Sequence, residues 1–455
     1  MLDIIYLAGL VLASPFLLYK SCRTGKYRRG WAGRFGHLEP SAIEKLKVPA
    51  GQAPPKRILL HCVSVGELLS MRRLIDELLA ADASVQVIVS TTTDTGLARA
   101  LEIYGQSPDT RVVPVRYPLD ISLAVNRFLK TVKPRLIVLV ELETWPNFIF
   151  AAHRSGIPVR IINGRLTERS FRRYRLVRPL VKAMFERVER FGVQTQAIAR
   201  RFIALGAPAD RVDIIPTVKY DSADFSDQIP GSQELAFALG IQGHHQVLVG
   251  GSTGPGEEIP LLDMYQVLSK NYPDLQLAIA PRKPEVVAAV HAAIEARGFK
   301  VVRRSQRPDG TSGPALAATD ILLLDTMGEL KKMYGLAMGI FSGRSLVKLG
   351  GSDMIEAAAL ARPVCFGPHT FNFTEAVDAL LAAKAAVRVH DAESLVGAVR
   401  QWLQDPAQAR EMGLRGRECL RQMRGSTHRY ASDILAAING EIANDQSHRH
   451  ALEKR

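Results

Sequence analysis

Cysteine is scarce in this sequence, which has four in 455 residues: Cys22, Cys62, Cys365 and Cys419. No two of them have the Cys-x-x-Cys spacing, so the sequence excludes a zinc ribbon and a disulfide framework and fits a reducing compartment. A DxD motif and a His/carboxylate cluster are also missing, and we expect no metal. Aromatic residues make up 7% and are not interleaved with the basic ones. Since no RNA- or DNA-binding motif is present either, we expect no nucleic-acid partner.

Acidic residues are in the minority, with 45 Asp and Glu against 59 Lys and Arg, which gives a net charge of +14. A basic protein favours an anionic partner, and without a nucleic-acid motif this predicts an anionic membrane surface or a phosphorylated substrate. Hydrophobic residues at 47% and charged residues at 23% exclude wholesale disorder. The length of 455 residues predicts two domains of roughly 200 residues each.

Long apolar runs are confined to the beginning of the chain, where IIYLAGLVLASPFLLY spans Ile4 to Tyr19. The run is just short of the roughly 17–25 residues that cross a bilayer. Basic residues follow it instead of preceding it, which argues against a signal peptide and keeps that flank cytoplasmic. We therefore predict an N-terminal single-helix membrane anchor at residues 1–20. A buried or surface-lying helix remains open, because the run is short and contains Pro15.

Short apolar segments then alternate with helical ones. ILLHCVSV (58–65), RLIVLV (135–140) and PVRIIN (158–163) are typical of buried strands. We predict a helix from residue 67 to about 81 and a long basic helix over 168–190. This alternation predicts parallel sheets with right-handed crossovers.

A polar stretch with Pro and Gly, SADFSDQIPGSQ at 222–233, interrupts the alternation. The strand pattern restarts with QVLVGGST (246–253) and DILLLDTMGE (320–329). The sequence thus predicts an α/β chain of two doubly wound domains, 21–221 and 234–455, facing a cleft, with 222–233 as linker. An option is that the last helix packs back on the first domain.

Acidic residues at strand-to-helix junctions are the candidate functional groups of the first half. Glu67 stands at a predicted helix start, where a carboxylate either complements the helix dipole or acts as a general base. Glu141 and Glu143 follow a buried strand beside Trp145, and both a capping role and a functional one remain open. Six arginines crowd the next stretch, either as a solvated helix face or as a site for phosphate or lipid head groups: Arg165, Arg169, Arg172, Arg173, Arg175 and Arg178.

The second half carries several weak anion-binding signals. GGSTGPGEE is a glycine-rich turn that meets neither the Walker nor the GxGxxG pattern. Arg282 and Lys283 stand at a strand end, where the arginine could grip a phosphate. The amides around Gly328 begin a helix and favour an anion. Glu356 could accept hydrogen bonds from a ribose.

Together these segments resemble the 3-deoxy-D-manno-octulosonic acid (Kdo) transferases of lipid A biosynthesis. The motifs VSVGE, ELETWPN, NGRLTERSF, VKYD, GSTGPGEE, PRKPE, DTMGEL and GPHTFNF occur in that family's order, and the similarity runs to about residue 375. The resemblance implies a GT-B glycosyltransferase with two Rossmann-like domains. It implies inverting transfer of Kdo from CMP-Kdo to a phosphorylated lipid A precursor (lipid IVA), at the cytoplasmic face of the cell inner membrane. It implies no cofactor besides the donor substrate.

Carried over position by position, the resemblance implies that Glu67 is the catalytic base and that Glu141 and Lys219 stabilise the transition state. It implies nucleotide contacts at Pro281, Arg282, Met327, Gly328, Glu329, Asp353, Met354, Ile355 and Glu356. The chain departs from the family pattern at Gly254, Lys283 and Ser352, where the family has histidine, at Asp353, where it has asparagine, and at Arg344, where it has glycine. Two alternatives remain, a GT-B transferase that uses a UDP-sugar and a non-catalytic membrane scaffold that keeps the fold.

Overall fold

The structure, a computed structural model, describes residues 3, 6, 30–106 and 109–440 of the chain. The anchor predicted for residues 1–20 lies outside the described residues, apart from Asp3 and Tyr6. Within the described ranges, none of the helices has both the length and the apolar character that crossing a membrane requires.

The chain divides into two compact units. The first comprises the chain up to Ser222 together with the part from Gly425 onward, and the second is Ala223–Arg424. The last described helix of the chain thus belongs to the first unit. The sequence predicts a second domain that runs to residue 455, with the packing of its last helix on the first domain as an option. Asp221 secures the return, because its carboxylate accepts the backbone N–H groups of Gly425 at 2.7 Å and Thr427 at 2.6 Å.

The first unit is built on a seven-stranded parallel sheet with the order β3-β2-β1-β4-β5-β6-β7. Its strands are β1 (Lys56–His61), β2 (Val85–Thr91), β3 (Val112–Arg116), β4 (Leu136–Val140), β5 (Val159–Gly164), β6 (Arg190–Val193) and β7 (Val212–Ile214). Its helices before the second unit are α1 (Trp31–Arg34), α2 (Pro40–Leu46), α3 (Val65–Ala81), α4 (Asp94–Tyr104), α5 (Ser122–Val132), α6 (Pro146–Arg154), α7 (Glu168–Leu176), α8 (Arg178–Phe185), α9 (Gln196–Leu205) and α10 (Lys219–Ser222).

The central strand β4 is apolar and buried at every position because helices cover both faces of the sheet. Leu59 and Ile137 point into one core cluster, whereas Ile58, Leu60 and Val138 point into the other. This alternation is the period of two of a β-strand, and two buried faces turn it into a continuous hydrophobic run. The apolar segments that predicted the strands are therefore the segments that form the sheet.

The long basic helix predicted over 168–190 is wrong, because the structure has two helices there, α7 and α8, joined at Val177. Pro179 lies in the first turn of α8. Proline has no backbone N–H and clashes with the preceding turn, so it is tolerated at a helix start and not in a helix interior. The chain then leaves the helical conformation before β6 begins at Arg190.

The second unit contains another seven-stranded parallel sheet, with the order β10-β11-β9-β8-β12-β13-β14. The strands are β8 (Gln246–Thr253), β9 (Leu275–Pro281), β10 (Lys300–Arg303), β11 (Asp320–Leu323), β12 (Ala337–Ser342), β13 (Val364–Phe366) and β14 (Ala386–Arg388). The helices are α11 (Ser232–Leu239), α12 (Glu258–Leu268), α13 (Val287–Glu295), α14 (Leu330–Leu336), α15 (Met354–Ala359), α16 (Thr374–Ala382), α17 (Ala392–Gln404) and α18 (Pro406–Gln422), and α19 (Ser426–Asn439) completes the first unit.

Most of the segment predicted as a linker, residues 222–233, is held against the second unit. Asp224 pairs with Lys331 at 2.7 Å, and Asp227 pairs with Arg417 at 2.5 Å. The guanidinium of Arg424 lies 5.0 Å from the centre of the Phe225 ring. These contacts tie the residues after Ser222 to α14 and α18.

Candidate active site

Glu67 lies in the first turn of α3, directly after β1. Ser64 is the N-cap residue of this helix, and its hydroxyl accepts the N–H of Glu67. The Glu67 carboxylate in turn accepts the backbone N–H of Val63 at 2.8 Å and the Ser64 hydroxyl at 2.9 Å. This reciprocal arrangement is a variant of the capping box. In that motif the Ser side chain accepts the backbone N–H of the Glu three residues later, and the Glu side chain accepts a backbone N–H at the start of the helix. The helix cap therefore holds the carboxylate in one orientation.

The surroundings of Glu67 alter its acidity. The pKa of Glu67 is raised to about 7, mainly by burial and also by the negative charges of Glu141 and Glu143, while the hydrogen bonds from Val63 and Ser64 oppose the shift. A carboxylate with a pKa near neutrality binds and releases a proton at the working pH. Such a group has the acidity of an efficient general base.

Glu141 and Glu143 belong to the turn that follows β4. Glu141 has a φ of 63°, in the left-handed region, and its N–H donates to the carbonyl of Ile162 at 2.9 Å. A non-glycine residue in that region is uncommon and is found in strained turns, often at functional sites. Glu143 accepts the indole N–H of Trp145 at 3.2 Å, and burial together with the charge of Glu141 raises its pKa.

The strand order explains why these three carboxylates come together. The chain runs from β1 outward through β2 and β3, then returns to form β4 on the other side of β1. The gap between the carboxyl ends of β1 and β4 is thus a topological switch point, the usual ligand position of an open α/β sheet. Glu67 follows β1, and Glu141 and Glu143 follow β4.

Lys219, the third predicted catalytic residue, begins α10 after the edge strand β7, and its N–H donates to the Thr217 hydroxyl at 3.4 Å. It is partly buried. Helix α10 lies beside α3, where Arg73 donates to the carbonyl of Asp221 at 2.9 Å. Because β5 and β6 separate β7 from β4, Lys219 lies on a different loop of the same sheet edge from the three carboxylates.

Sequence reasoning missed two buried polar side chains at this edge. His61 ends β1 and its ring stacks on Tyr117, with centroids 3.8 Å apart. Burial lowers the pKa of His61 to about 3, so the imidazole is neutral, with Nδ1 3.0 Å from the Ser90 hydroxyl. The His61 Nε2 atom and the Tyr117 hydroxyl have no hydrogen-bond partner among the described residues. A histidine inside an apolar strand gives no signal of this in the sequence.

In the second unit, Arg282 and Glu356 lie in one neighbourhood. The N–H of Arg282 donates to the carbonyl of Thr253 at 3.1 Å, which joins the ends of β9 and β8. Burial raises the pKa of Glu356, the charge of Asp353 raises it further, and the positive charges of Lys331 and Arg282 oppose the shift. The structure thus brings together an arginine and a carboxylate that sequence analysis assigned to one ligand.

The other predicted nucleotide-contact residues differ in their exposure to solvent and in their hydrogen bonds. Met327 is 74% exposed, and Gly328 has a φ of 86°, which favours glycine. Glu329 accepts the guanidinium of Arg304 at 2.9 Å, so its carboxylate is already engaged. Pro281 ends β9.

The residues of α15 are positioned by a cap. Asp353 is the N-cap residue and its carboxylate accepts the N–H of Ile355 at 3.1 Å. The side chains of Met354 and Ile355 are buried in the core. Glu356 is the one residue of this helix whose side chain is not buried, so a ligand can contact the helix through Glu356 or through the backbone.

Glu257, which sequence analysis did not single out, holds two loops of the second unit together. It is 1% exposed. Its carboxylate accepts four backbone N–H groups, from Gly254 at 2.7 Å, from Ser345 and Leu346 at 2.8 Å each, and from Arg344. These join the loop after β8 to the loop after β12, at the switch point of the second sheet.

Two departures from the family pattern fall on these loops. A side chain at Gly254 would lie 3.0 Å from methyl groups of Leu349 and Val347, so a larger residue needs both to move. Arg344 has a φ of 58°, which a glycine would adopt without strain. Within residues 30–106 and 109–440, no group of three or more His, Cys, Asp or Glu is arranged to hold a metal ion.

The chain resembles known proteins in both sequence and fold. Residues 29–222 match the family model described as 3-deoxy-D-manno-octulosonic-acid transferase (kdotransferase). The 3-deoxy-D-manno-octulosonic acid transferase of Haemophilus influenzae is 30% identical over 429 residues, 93% of this chain and 96% of that protein. The transferase of the same name from Bordetella pertussis is 30% identical over 387 residues, 84% of this chain and 87% of that one.

Solved structures show the same fold at lower identity. The Anabaena protein Alr3699/HepE, solved in complex with UDP, is 12% identical with a TM-score of 0.58, over 84% of this chain and all (100%) of that one. A UDP-N-acetylglucosamine 2-epimerase is 15% identical with a TM-score of 0.57, over 86% of this chain and 98% of that one. Two parallel α/β sheets of this kind are GT-B-like. From its sequence relatives, the chain belongs to the 3-deoxy-D-manno-octulosonic acid transferase family, the glycosyltransferases that transfer Kdo in lipopolysaccharide biosynthesis.

Proposed function

We propose that the protein moves Kdo from CMP-Kdo to a hydroxyl group of a phosphorylated lipid A precursor, with inversion at the anomeric carbon. The observation that carries this proposal is the position and acidity of Glu67. Its pKa is raised to about 7 by burial and by the neighbouring carboxylates, and it lies at the switch point of the first sheet.

In the proposed reaction, Glu67 takes the proton from the attacking acceptor hydroxyl as the bond to the anomeric carbon forms and CMP leaves. A single displacement from the opposite side inverts the configuration. A base of this kind contributes about 10²–10⁴-fold to the rate. The anomeric carbon gains positive charge on the way, and the carboxylate of Glu141 has the sign that stabilises it. Lys219 is the proposed partner for negative charge in the same step.

The donor site is proposed for the second unit. CMP leaves as a monophosphate, which needs less charge neutralisation than a pyrophosphate, so Arg282 and backbone amides are proposed to supply it without a metal. Glu356 is proposed to accept hydrogen bonds from the ribose. Burial raises the pKa of Glu356, and a buried carboxyl group is stabilised when a ligand donates hydrogen bonds to it. Asp353 and the turn at Met327–Glu329 complete the proposed contacts.

The acceptor and the membrane are proposed for the first unit. Helix α7 has no buried residue, and Arg169, Arg172, Arg173 and Arg175 are all exposed on it. Basic residues near an anionic lipid surface contribute about 1 kcal/mol each. Together with the anchor proposed for residues 1–20, this surface suits a phosphorylated lipid at the cytoplasmic face of the inner membrane.

The test is to incubate the full chain with CMP-Kdo and a tetraacylated lipid A precursor and to determine the masses of the products. We expect an increment of one or more Kdo residues. A product formed with a UDP-sugar and not with CMP-Kdo would favour the other donor class. If neither donor gives a product while the protein is folded, the enzymatic proposal fails for these substrates.

A further inference from the structure

A cavity of about 580 Å³ opens in the second unit, at the amino-terminal edge of its sheet. Gln246 and Met338 line it from the beginnings of β8 and β12, and Arg362 lines it from the turn before β13. Arg282 and Glu356 follow the carboxyl ends of strands of this parallel sheet. The cavity is therefore separated from the proposed donor site by the length of the strands.

The wall of this cavity carries an excess of positive charge. Three arginines line it, Arg362, Arg410 and Arg417, and Asp227 is the single carboxylate among its lining residues. Arg417 is 7% exposed, and its Nε donates to the carbonyl of Ala359 at 3.0 Å. Burial lowers the pKa of Arg362, and the charges of Arg417 and Arg410 lower it further, as expected where cations crowd without enough anions.

Two donors in this wall have no acceptor. Arg362 donates one N–H to the carbonyl of Gly335 at 2.6 Å, but its Nε has no hydrogen-bond partner among the described residues. Trp402 is 1% exposed, and its indole N–H has no partner either. Buried donors without an acceptor cost free energy, typically about 1–3 kcal/mol each, and most buried polar groups in folded proteins do have a partner.

Asp227 supplies negative charge beside the arginines of this cavity. Its carboxylate pairs with Arg417 at 2.5 Å, yet its side chain is 85% exposed. Asp227 lies in the segment after Ser222 and belongs to no helix or strand. Because Asp227 belongs to no helix or strand, its displacement from Arg417 would leave every helix and strand in place.

Apart from Gln246, the other residues that line the cavity are apolar. Leu360, Pro406, Ala409 and Leu414 surround the arginines, and the ring of Trp402 packs so closely on β12 that a side chain at Gly339 would lie 2.6 Å from it. A cavity of this volume is in the range of small-molecule sites, about 300–1,000 Å³. A ligand that fits both parts of the wall has an anionic group and an organic body.

We propose that this cavity is a second ligand site, which binds a phosphorylated small organic molecule. The phosphate pairs with Arg362, Arg410 and Arg417 in place of Asp227, and the organic part lies against Trp402 and the neighbouring aliphatic side chains. The site is separate from the donor site and does not depend on the proposed reaction.

The test is a calorimetric titration of the full chain with phenyl phosphate in the presence of saturating CMP, which blocks the proposed donor site. We expect one binding event, with a change in tryptophan fluorescence from Trp402. Arg410 is exposed, so Arg410→Ala leaves the fold intact and should weaken binding about ten- to a hundredfold. Arg400→Ala, an exposed arginine on α17 outside the cavity, is the matched control and should change nothing.

Asp227→Asn supplies the sharper result, because it removes the competing carboxylate and should tighten binding several-fold. A merely structural Asp227–Arg417 pair predicts the opposite. The proposal is overturned if phenyl phosphate does not bind, if CMP abolishes its binding, or if Arg410→Ala and Arg400→Ala behave alike. Equal affinity for inorganic phosphate and phenyl phosphate would overturn the assignment of an organic ligand. If CMP itself does not bind, the donor proposal fails, and the titration with Arg410→Ala still tests the cavity.

Discussion

The two units share one architecture but differ in how the carboxylates at their switch points are hydrogen-bonded. Each has a seven-stranded parallel sheet with a switch point beside its first strand, between β1 and β4 in one and between β8 and β12 in the other. In the first unit this position carries the partly buried carboxylates Glu67, Glu141 and Glu143. In the second unit the carboxylate at this position, Glu257, is covered by backbone N–H groups, whereas Arg282 follows β9 and Glu356 lies on α15.

The number of hydrogen-bond donors separates Glu67 from Glu257. A carboxylate has about four lone-pair positions. Glu67 uses two of them, for the Val63 N–H and the Ser64 hydroxyl, whereas Glu257 receives four backbone N–H groups. A proton from a substrate can therefore be accepted at Glu67 and not at Glu257. The comparison teaches that the fold supplies the position, and that the number of local donors decides whether a carboxylate keeps lone pairs for a proton or serves as a structural clamp.

The largest effect is expected from Glu67→Gln, which keeps the shape of the side chain and removes the proposed proton acceptor. We expect kcat to fall about 10²–10⁴-fold, while CMP affinity stays near that of the wild type. The rate of product formation from CMP-Kdo, followed by mass spectrometry, measures kcat. Calorimetric titration measures the affinity for CMP. Ordinary turnover by this variant would show that another group accepts the proton.

The next effect concerns Glu257→Ala, which leaves four backbone N–H groups without their acceptor. We expect the free energy of unfolding to fall by about 3 kcal/mol or more, since each buried donor without a partner costs about 1–3 kcal/mol. Urea unfolding measures it, with Glu258→Ala, the next residue in the chain, as comparison. A loss no larger than that of the comparison variant would contradict the role of Glu257 as a clamp.

A smaller effect is expected on nucleotide binding. Arg282→Ala removes a charge-assisted hydrogen bond, which typically contributes about 1.5–3 kcal/mol, so CMP should bind roughly ten- to a hundredfold more weakly. Arg173→Ala, in the first unit, should leave CMP binding unchanged and raise the apparent KM for the phosphorylated lipid. The same calorimetric titration serves both variants. If Arg173→Ala loses CMP while Arg282→Ala binds it normally, the roles of the two units are reversed.

The smallest effect is a shift of the pH profile. Because the pKa of Glu67 is raised to about 7 and its base form must be deprotonated, kcat/KM should fall as the pH falls below about 7. The charge of Glu143 contributes to the raised pKa, so Glu143→Gln should lower it and move this acidic limb to lower pH. A profile of initial rates against pH measures the shift. Movement of the limb to higher pH would show that Glu143 stabilises the ionised form instead.

Local patterns in the sequence were sufficient to predict many of the strands and helices and the family. QVLVGGST predicts a strand at 246–253, and β8 has these bounds. The helix predicted from residue 67 to about 81 is α3, which ends at Ala81 and begins two residues earlier than predicted, at Val65. The family resemblance predicted from the motifs is confirmed by relatives that match most of the chain. Strand periodicity and helix caps depend on residues close in sequence, which is why they can be predicted without the fold.

Only the tertiary structure decided the rest, because it depends on groups that are distant along the chain. Strand order places Glu141 beside Glu67, and burial in that arrangement raises the pKa of Glu67. Glu257 meets the N–H groups of Ser345 and Leu346 almost ninety residues later. The last helix, α19, joins the first unit through Asp221. The sequence by itself determined the main strands, the helix after β1 and the family to which the chain belongs. The division of the segment 168–190 into two helices, and the burial of charges with the chemistry that follows from it, became visible only in the packed structure.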